Sequence, residues 1–404
     1  MSTVTPTSPT VKHFPLRKRT GTAEFHLSRQ AVDMGYEELD RLSKRDAVFL
    51  FAETVWGSRT EMPCPHCGTL DSHYFSTREL RWKCKGCGKR FSVTSGTIFQ
   101  DHKLPLVKIL KIMFSWANGA SGKPALQLRR EWNVSYKTAF TLAHKLREGL
   151  ARGFNTGVLC GVQEMDGMDV LGRRYREKRN RPQVAPAGTP KIPPELLKPP
   201  EGFVGPPEPP KRGKAARQPA DRRLLLVLRK RGVNRGKGGA ATRVAVALAE
   251  STASVTTMAQ RFASAESAIM SDEDPAYASF ARHFAEHRSI THSRAFSDGA
   301  GTNNNQAESF NARMRRLVEG VYLNPSTKYL HSYAAEAAWR EDTRRLSNGK
   351  KLRNLLGTAM SVGPSQWWLG YGQGCCRDTE ILVDGKQAAA GRGRAKGWKP
   401  ARPS

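Results

Sequence analysis

Acidic residues at long spacing are the side chains in this sequence best suited to chemistry. Glu164-Met165-Asp166-Gly167-Met168-Asp169-Val170 sets acids in the middle of a stretch that reads as a strand, where a buried carboxylate is destabilising unless it is paired or holds a cation. Alternation puts Glu164 and Asp166 on one face and Asp169 on the other, and leaves open which face meets a site. A later strand, Ala268-Ile269-Met270-Ser271, runs into Asp272-Glu273-Asp274. Asp272 thus stands at a strand's C-terminal edge, where α/β sheets usually carry their sites. Glu308 lies in the first turns of a helix begun by Asn303-Asn304-Asn305, and Asn305, three residues earlier, shares its face. Two Asp and one Glu converging on one edge would hold two Mg²⁺ (or Mn²⁺) ions, which activate a hydroxyl and stabilise the leaving oxygen of a phosphodiester. Taken singly, each acid also reads as a surface charge or a helix cap.

A second constellation is Cys64-Pro65-His66-Cys67 and Cys84-Lys85-Gly86-Cys87, two CxxC knuckles separated by 16 residues. That spacing brings four thiolates around one tetrahedral Zn²⁺. Gly68 and Gly88 follow the knuckles and allow the turn that points the sulfurs inward, with Tyr74, Trp82 and Phe91 expected to cover the site. Four protein ligands leave no open position, so the role is structural. A redox dithiol or a disulfide pair fits less well with a reducing compartment. His66 and His73 are spare donors, and Cys160, Cys375 and Cys376 read as ordinary thiols. Downstream, Lys123–Glu131 and Ser135–Leu150 read as helices joined by Trp132-Asn133-Val134. Ala125, Leu128, Val134, Ala139, Leu142, Ala143 and Leu146 form the apolar stripe. Ser135 caps the second helix, while Lys137, Thr138, Thr141 and Lys145 face outward as the reading head of a helix-turn-helix would. A plain helical hairpin shows the same period.

The elements that must position these groups form a multidomain α/β chain. A Ser/Thr/Pro-rich arm (1–24), a helical segment (25–60), the zinc ribbon (61–100) and the helix-turn-helix region (101–152) precede a catalytic domain at 156–345. There strands at Val158–Val170, Arg223–Lys230, Arg243–Ala249 and Ala268–Ser271 alternate with helices near Val255–Ala263 and Pro275–Phe284. A basic insertion at 174–221 interrupts the domain; within it, 181–220 carries 12 of the 24 prolines and cannot bury a core. The remainder, 346–404, reads as a basic tail, and its end, Lys386–Ser404, has six Lys or Arg and no acid. Sixty-six Lys plus Arg against 36 Asp plus Glu leave a net charge of +30, which points to a polyanion, double-stranded DNA above all. No run reaches the roughly 18 apolar residues of a membrane span, and no secretory signal is visible, so a bacterial cytosolic, nucleoid-associated setting is expected.

From about Trp56 to Arg340 the chain resembles the DDE transposases of bacterial insertion sequences, in the group with an N-terminal zinc ribbon and an ISXO-like transposase domain of ribonuclease H-like fold. The resemblance rests on Cys64-Pro65-His66-Cys67-Gly68, Phe91-Ser92-Val93-Thr94-Ser95-Gly96-Thr97-Ile98-Phe99, Val134-Ser135-Tyr136-Lys137-Thr138-Ala139, Glu164-Met165-Asp166 and Ser271-Asp272-Glu273. Asn305-Gln306-Ala307-Glu308-Ser309-Phe310, Gly320-Val321-Tyr322 and Lys328-Tyr329-Leu330 complete it. It implies catalytic acids at Asp166, Asp272 and Glu308 and zinc ligands at the four cysteines. Gly167 departs from the pattern, which has an acid after the first Asp, and the Pro-rich insertion near the substrate path at Arg173–Arg181 is long. The implied activity is binding of the element's terminal inverted repeats, followed by Mg²⁺-dependent cleavage and strand transfer in a dimer or larger assembly. A DNA-binding regulator or decayed transposase would use only the ribbon and the helix-turn-helix, and a structure-selective nuclease would cut without joining.

Overall fold

The computed structural model describes residues 23–171, 222–232, 238–290, 302–374, 377 and 379–385. The arm up to residue 22, the Pro-rich insertion, Arg173–Arg181, Cys375, Cys376 and Lys386–Ser404 lie outside them. Short helices α1 (Ala23–Leu27) and α2 (Tyr36–Asp40) lead into α3 (Lys44–Trp56). α3 begins at a reciprocal cap in which the Asp46 N–H donates to Ser43 Oγ at 3.1 Å and the Ser43 N–H donates to the Asp46 carboxylate at 3.2 Å. In the ribbon, β1 (Met62–Pro63) pairs with β2 (Leu70–Asp71), and β3 (Tyr74–Ser76), β4 (Arg81–Lys83) and β5 (Arg90–Phe91) form an antiparallel sheet. Helices α4 (Leu106–Asn118), α5 (Ala125–Trp132) and α6 (Tyr136–Gly149) follow.

The larger sheet is built from β6 (Val162–Leu171), β7 (Arg222–Arg231), β8 (Gly239–Ala247), then α7 (Thr252–Phe262), β9 (Ala268–Asp272) and β10 (Glu286–Ile290). Its order is β10-β9-β6-β7-β8. β6, β7 and β8 are an antiparallel meander, while β9 and β10 run parallel to β6. Counted from β6 the order is 3-2-1-4-5, in keeping with the ribonuclease H-like fold that the resemblance implies. The unbroken apolar run Leu224–Leu228 is explained by its place: β7 is flanked by strands on both edges and covered on both faces, and all five side chains are buried. One face packs on α7 through Met165, Leu226 and Met258; the other packs on α8 (Asn305–Arg316) and α9 (Thr327–Asp342) through Met168, Leu225, Phe310 and Met314.

Two features depart from expectation. β10 was not visible in the sequence because Glu286-His287-Arg288-Ser289-Ile290 is a polar edge strand with only Ile290 buried. The tail expected from residue 346 instead opens with α10 (Asn348–Met360), whose Leu352, Leu355, Leu356 and Met360 enter the same core as α3, α4 and α6. An apolar period of that strength buries a helix rather than leaving it in solvent. Among the described residues no helix is long and apolar enough to cross a membrane.

Candidate active site and metal centre

Asp166, Asp272 and Glu308 stand on β6, β9 and α8, and both β9 and α8 adjoin β6. Asp166 lies mid-way along β6, half-buried. The β6–β9 ladder pairs Val162 with Ala268 and ends at Glu164 and Met270, two residues short of Asp166 and of Asp272, the last residue of β9. Burial first, and then the negative charge of Asp272, push the Asp166 carboxyl up to about 6, with Glu250 adding to the rise and hydrogen bonds from Asn311 and Gly167 opposing it. Glu308 is in the first turn of α8. Three residues further, Asn311 donates Nδ2 to Asp166 Oδ2 at 2.8 Å, which turns the helix face carrying Glu308 toward β6. Asn305 is exposed at the first position of the helix. Among the described residues, the four cysteines alone bring three or more metal-ligating atoms within 4.8 Å of one another; the three acids share an edge without that closeness.

The other acids of β6 have separate roles. Asp169 is exposed and ion-paired with Arg222. Glu164, fully buried, accepts the Gln306 N–H at 2.6 Å and the Ala307 N–H at 3.2 Å, so it caps α8 from the sheet, and it is paired with Arg231 at 2.6 Å. Asn304, at the N-cap position, makes no side-chain cap. Sequence reasoning missed Asn311 and Glu250. The first could have been found from its i+3 spacing to Glu308; the second follows β8 with no motif around it.

At the ribbon the four sulfurs are already gathered. Cys64 Sγ and Cys87 Sγ are 3.8 Å apart and Cys67 Sγ and Cys84 Sγ 3.6 Å. A tetrahedral Zn²⁺ with bonds of about 2.3 Å requires S···S edges of about 3.8 Å, so the set fits a structural zinc. Both knuckles are built alike. The Gly68 N–H donates to Cys64 O at 2.8 Å and the Gly88 N–H to Cys84 O at 3.0 Å, with φ of 75° and 69° at the two glycines. His73 is no ligand: its Nδ1 accepts the Lys85 N–H at 3.3 Å and its Nε2 lies 3.2 Å from Thr69 O, tying one knuckle to the other. Trp82 and Phe91 are buried and stacked at 5.9 Å. Tyr74, expected beside them, is 65% exposed; strand alternation turns Phe75 inward in its place, 5.0 Å from Trp82.

The α5–α6 pair has the expected apolar stripe, with Leu128, Ala139, Leu142, Ala143 and Leu146 buried. Asn133 makes the turn in the left-handed region, at φ 45°, and Ser135 Oγ accepts the Thr138 N–H at 3.1 Å. Lys137 is exposed and Thr138 and Thr141 are half-buried. Lys145 corrects the outward set. It is half-buried, and burial lowers its ammonium pKa, because the second half of α6 is inside the core, with His144, Arg147 and Glu148 at or near zero exposure. Arg147 pairs with Glu336 of α9 at 2.7 Å, and Glu336 also accepts from Arg340 and from the Tyr322 hydroxyl.

Two family models match the chain. One, described as ISXO2-like transposase domain, covers residues 201–342; the other, described as transposase zinc-ribbon domain, covers residues 42–90. The four cysteines lie within the second match and Asp272, Asn305 and Glu308 within the first, whereas Asp166 and the α5–α6 pair lie between the two. A search among curated proteins gives no match. Both segments are matched, in this order and around these two sites, so the chain is similar in its ribbon and in its transposase domain to the IS1595-type transposases.

Proposed function

We propose that the protein binds the double-stranded terminal repeats of its own element and performs metal-dependent strand cleavage and strand transfer at Asp166, Asp272 and Glu308. The observation that carries the reading is the way β6, β9 and α8 adjoin: Asp166 and Asp272 each stand two residues past the last β6–β9 pair, and Asn311 joins Asp166 to the helix that bears Glu308. Hard carboxylate oxygens suit Mg²⁺ or Mn²⁺, and such a cation supplies Lewis acidity to a phosphodiester and its attacking hydroxyl. The chain's part is to present the oxygens. The Gly167 N–H donates to Asp166 Oδ1 at 2.9 Å and Asn311 to Oδ2, so the carboxylate is held in one rotamer. Asn305, on the face of Glu308, is assigned to the catalytic set beside the acids.

DNA is gripped through the ribbon and through the first turns of α6, where Ser135, Lys137, Thr138 and Thr141 lie, in the manner of a helix-turn-helix. The net charge of +30 supplies the attraction to phosphates. Joining two ends requires a dimer or larger assembly. The test is strand transfer with purified protein, Mg²⁺ or Mn²⁺ and labelled DNA carrying the flanking ends of the gene. Joined products are expected from the wild type and none from Asp272→Ala, with end binding retained in the variant. Binding without cleavage by the wild type would make the protein a regulator or a decayed transposase, and cleavage of intact ends with no joining of precut ones would make it a nuclease.

A further inference from the structure

We propose that Glu250 is a fourth carboxylate of the cation-holding edge, set there by Tyr277 in the space that Gly167 leaves open. The inference rests on the reading of Asp166 and Asp272 given above and adds a residue to it. Glu250 follows β8, which ends at Ala247, and is far in sequence from each of the other acids. Its carboxylate nevertheless lies against the backbone next to Asp166: a Cβ on Gly167 would stand 2.7 Å from Glu250 Oε1 and 3.1 Å from Oε2. No real Cβ tolerates the shorter approach, so glycine at 167 is what allows the carboxylate to reach β6.

The carboxylate is also aimed. Tyr277, a fully buried side chain, donates its hydroxyl to Glu250 Oε1 at 2.6 Å, which fixes that oxygen. Helix capping does not account for it. The N-cap of α7 is Ser251, whose Oγ accepts the Ser254 N–H at 3.2 Å, so the helix start has its partner without Glu250. The charged groups acting most strongly on Glu250 are Asp272, Asp274 and Asp169, all acids. Like charges held this way by a buried hydroxyl and a glycine are offset by a shared cation.

The test is calorimetric titration of Mn²⁺ into the zinc-loaded full chain without DNA, comparing wild type, Glu250→Gln, Tyr277→Phe and Asp166→Asn, each checked for an unchanged circular dichroism spectrum. Glu250→Gln is expected to weaken Mn²⁺ by about tenfold and Tyr277→Phe by less, as for other residues that orient a metal site. Gly167→Asp combined with Glu250→Ala should regain much of the lost affinity, because it moves the carboxylate from one strand to the other within the same space. Wild-type affinity in Glu250→Gln with loss in Asp166→Asn would overturn the role of Glu250 and leave the three-acid site standing. Affinity indifferent to Asp166 as well would remove the cation reading itself.

Discussion

In the ribbon, the ligands come from two knuckles of four residues each, and the backbone turns that follow them bring the sulfurs to within 4 Å in pairs. At the sheet edge, the proposed carboxylates come from β6, β9 and α8, and bringing them together depends on how two parallel strands run side by side and on one amide contact from Asn311. The first arrangement is local. The second is tertiary, and it burdens its members: burial first and the charge of Asp272 second push the Asp166 carboxyl up. Removing a ligand should therefore have opposite consequences for stability at the two places, and that opposition is the sharpest way to test the comparison.

The largest effect is expected at the ribbon. Cys64 and Cys84 sit in the same core as Trp82, Phe91 and Phe51, and structural zinc sites contribute on the order of 10 kcal/mol to the folding of small metal-bound units. Cys84→Ser, or zinc removal by a chelator, should unfold residues 62–91 while leaving the larger sheet folded. Loss of bound zinc and of near-ultraviolet signal from Trp82, with retained helical signal, would register this; a ribbon that keeps its Trp82 signal without metal would break the comparison.

Next comes the joint between the regions. Arg147 of α6 and Glu336 of α9 are both essentially unexposed, and Arg340 carries the network on to the carbonyls of Trp116 and Gly119 at the end of α4. Glu336→Ala leaves Arg147 buried without a counter-charge, a change that costs about 3–5 kcal/mol. Chemical denaturation is then expected to give one transition for the wild-type chain and two for the variant. A shift of under 1 kcal/mol would mean that apolar packing alone couples the regions.

Asp166→Asn should go the other way. Below about pH 4 the carboxyl is protonated in both the folded and the unfolded chain. As pH rises, the unfolded chain ionises first and the folded one only near 6, so the wild type loses stability between about pH 4 and 6 and stays penalised above. Without divalent cation at pH 8 the Asn variant should be more stable by on the order of 1–3 kcal/mol, and the gain should vanish near pH 4. Added Mg²⁺ should stabilise the wild type and not the variant. Urea melts at the two pH values check the sign; equal stability at pH 8 would show that the acids do not strain the edge.

What could be read in the sequence divides along the same line. The knuckles, the Ser135 cap and the Leu224–Leu228 strand were legible because each is determined within a few residues: by a turn, a hydroxyl or an apolar run too long for a one-faced strand. The acids at Asp272 and Glu308 were legible as strand end and helix start. Glu250 was not, because its place depends on where β8 delivers the chain and on a glycine 83 positions earlier, neither of which leaves a local pattern. α10 was misread as tail, since its partners α3 and α4 lie near the other end of the sequence. Lys145 was misread because a polar residue on a helical period looks outward until a further helix covers it.

That last residue gives the smallest and most specific effect. Lys137 is exposed on the first turn of α6, whereas Lys145 is half-buried two turns on, beside Asp101 and Glu148. If the N-terminal end of α6 meets DNA phosphates, Lys137→Ala should weaken binding to an end fragment and lower the slope of log affinity against log salt by about one, the signature of one lost phosphate contact. Lys145→Ala should leave the slope unchanged. Fluorescence anisotropy over a salt series separates the two. Equal slopes for both variants would move the DNA contact away from α6 and onto the ribbon, whose exposed Arg81, Lys83, Lys89 and Arg90 would then be the next residues to replace.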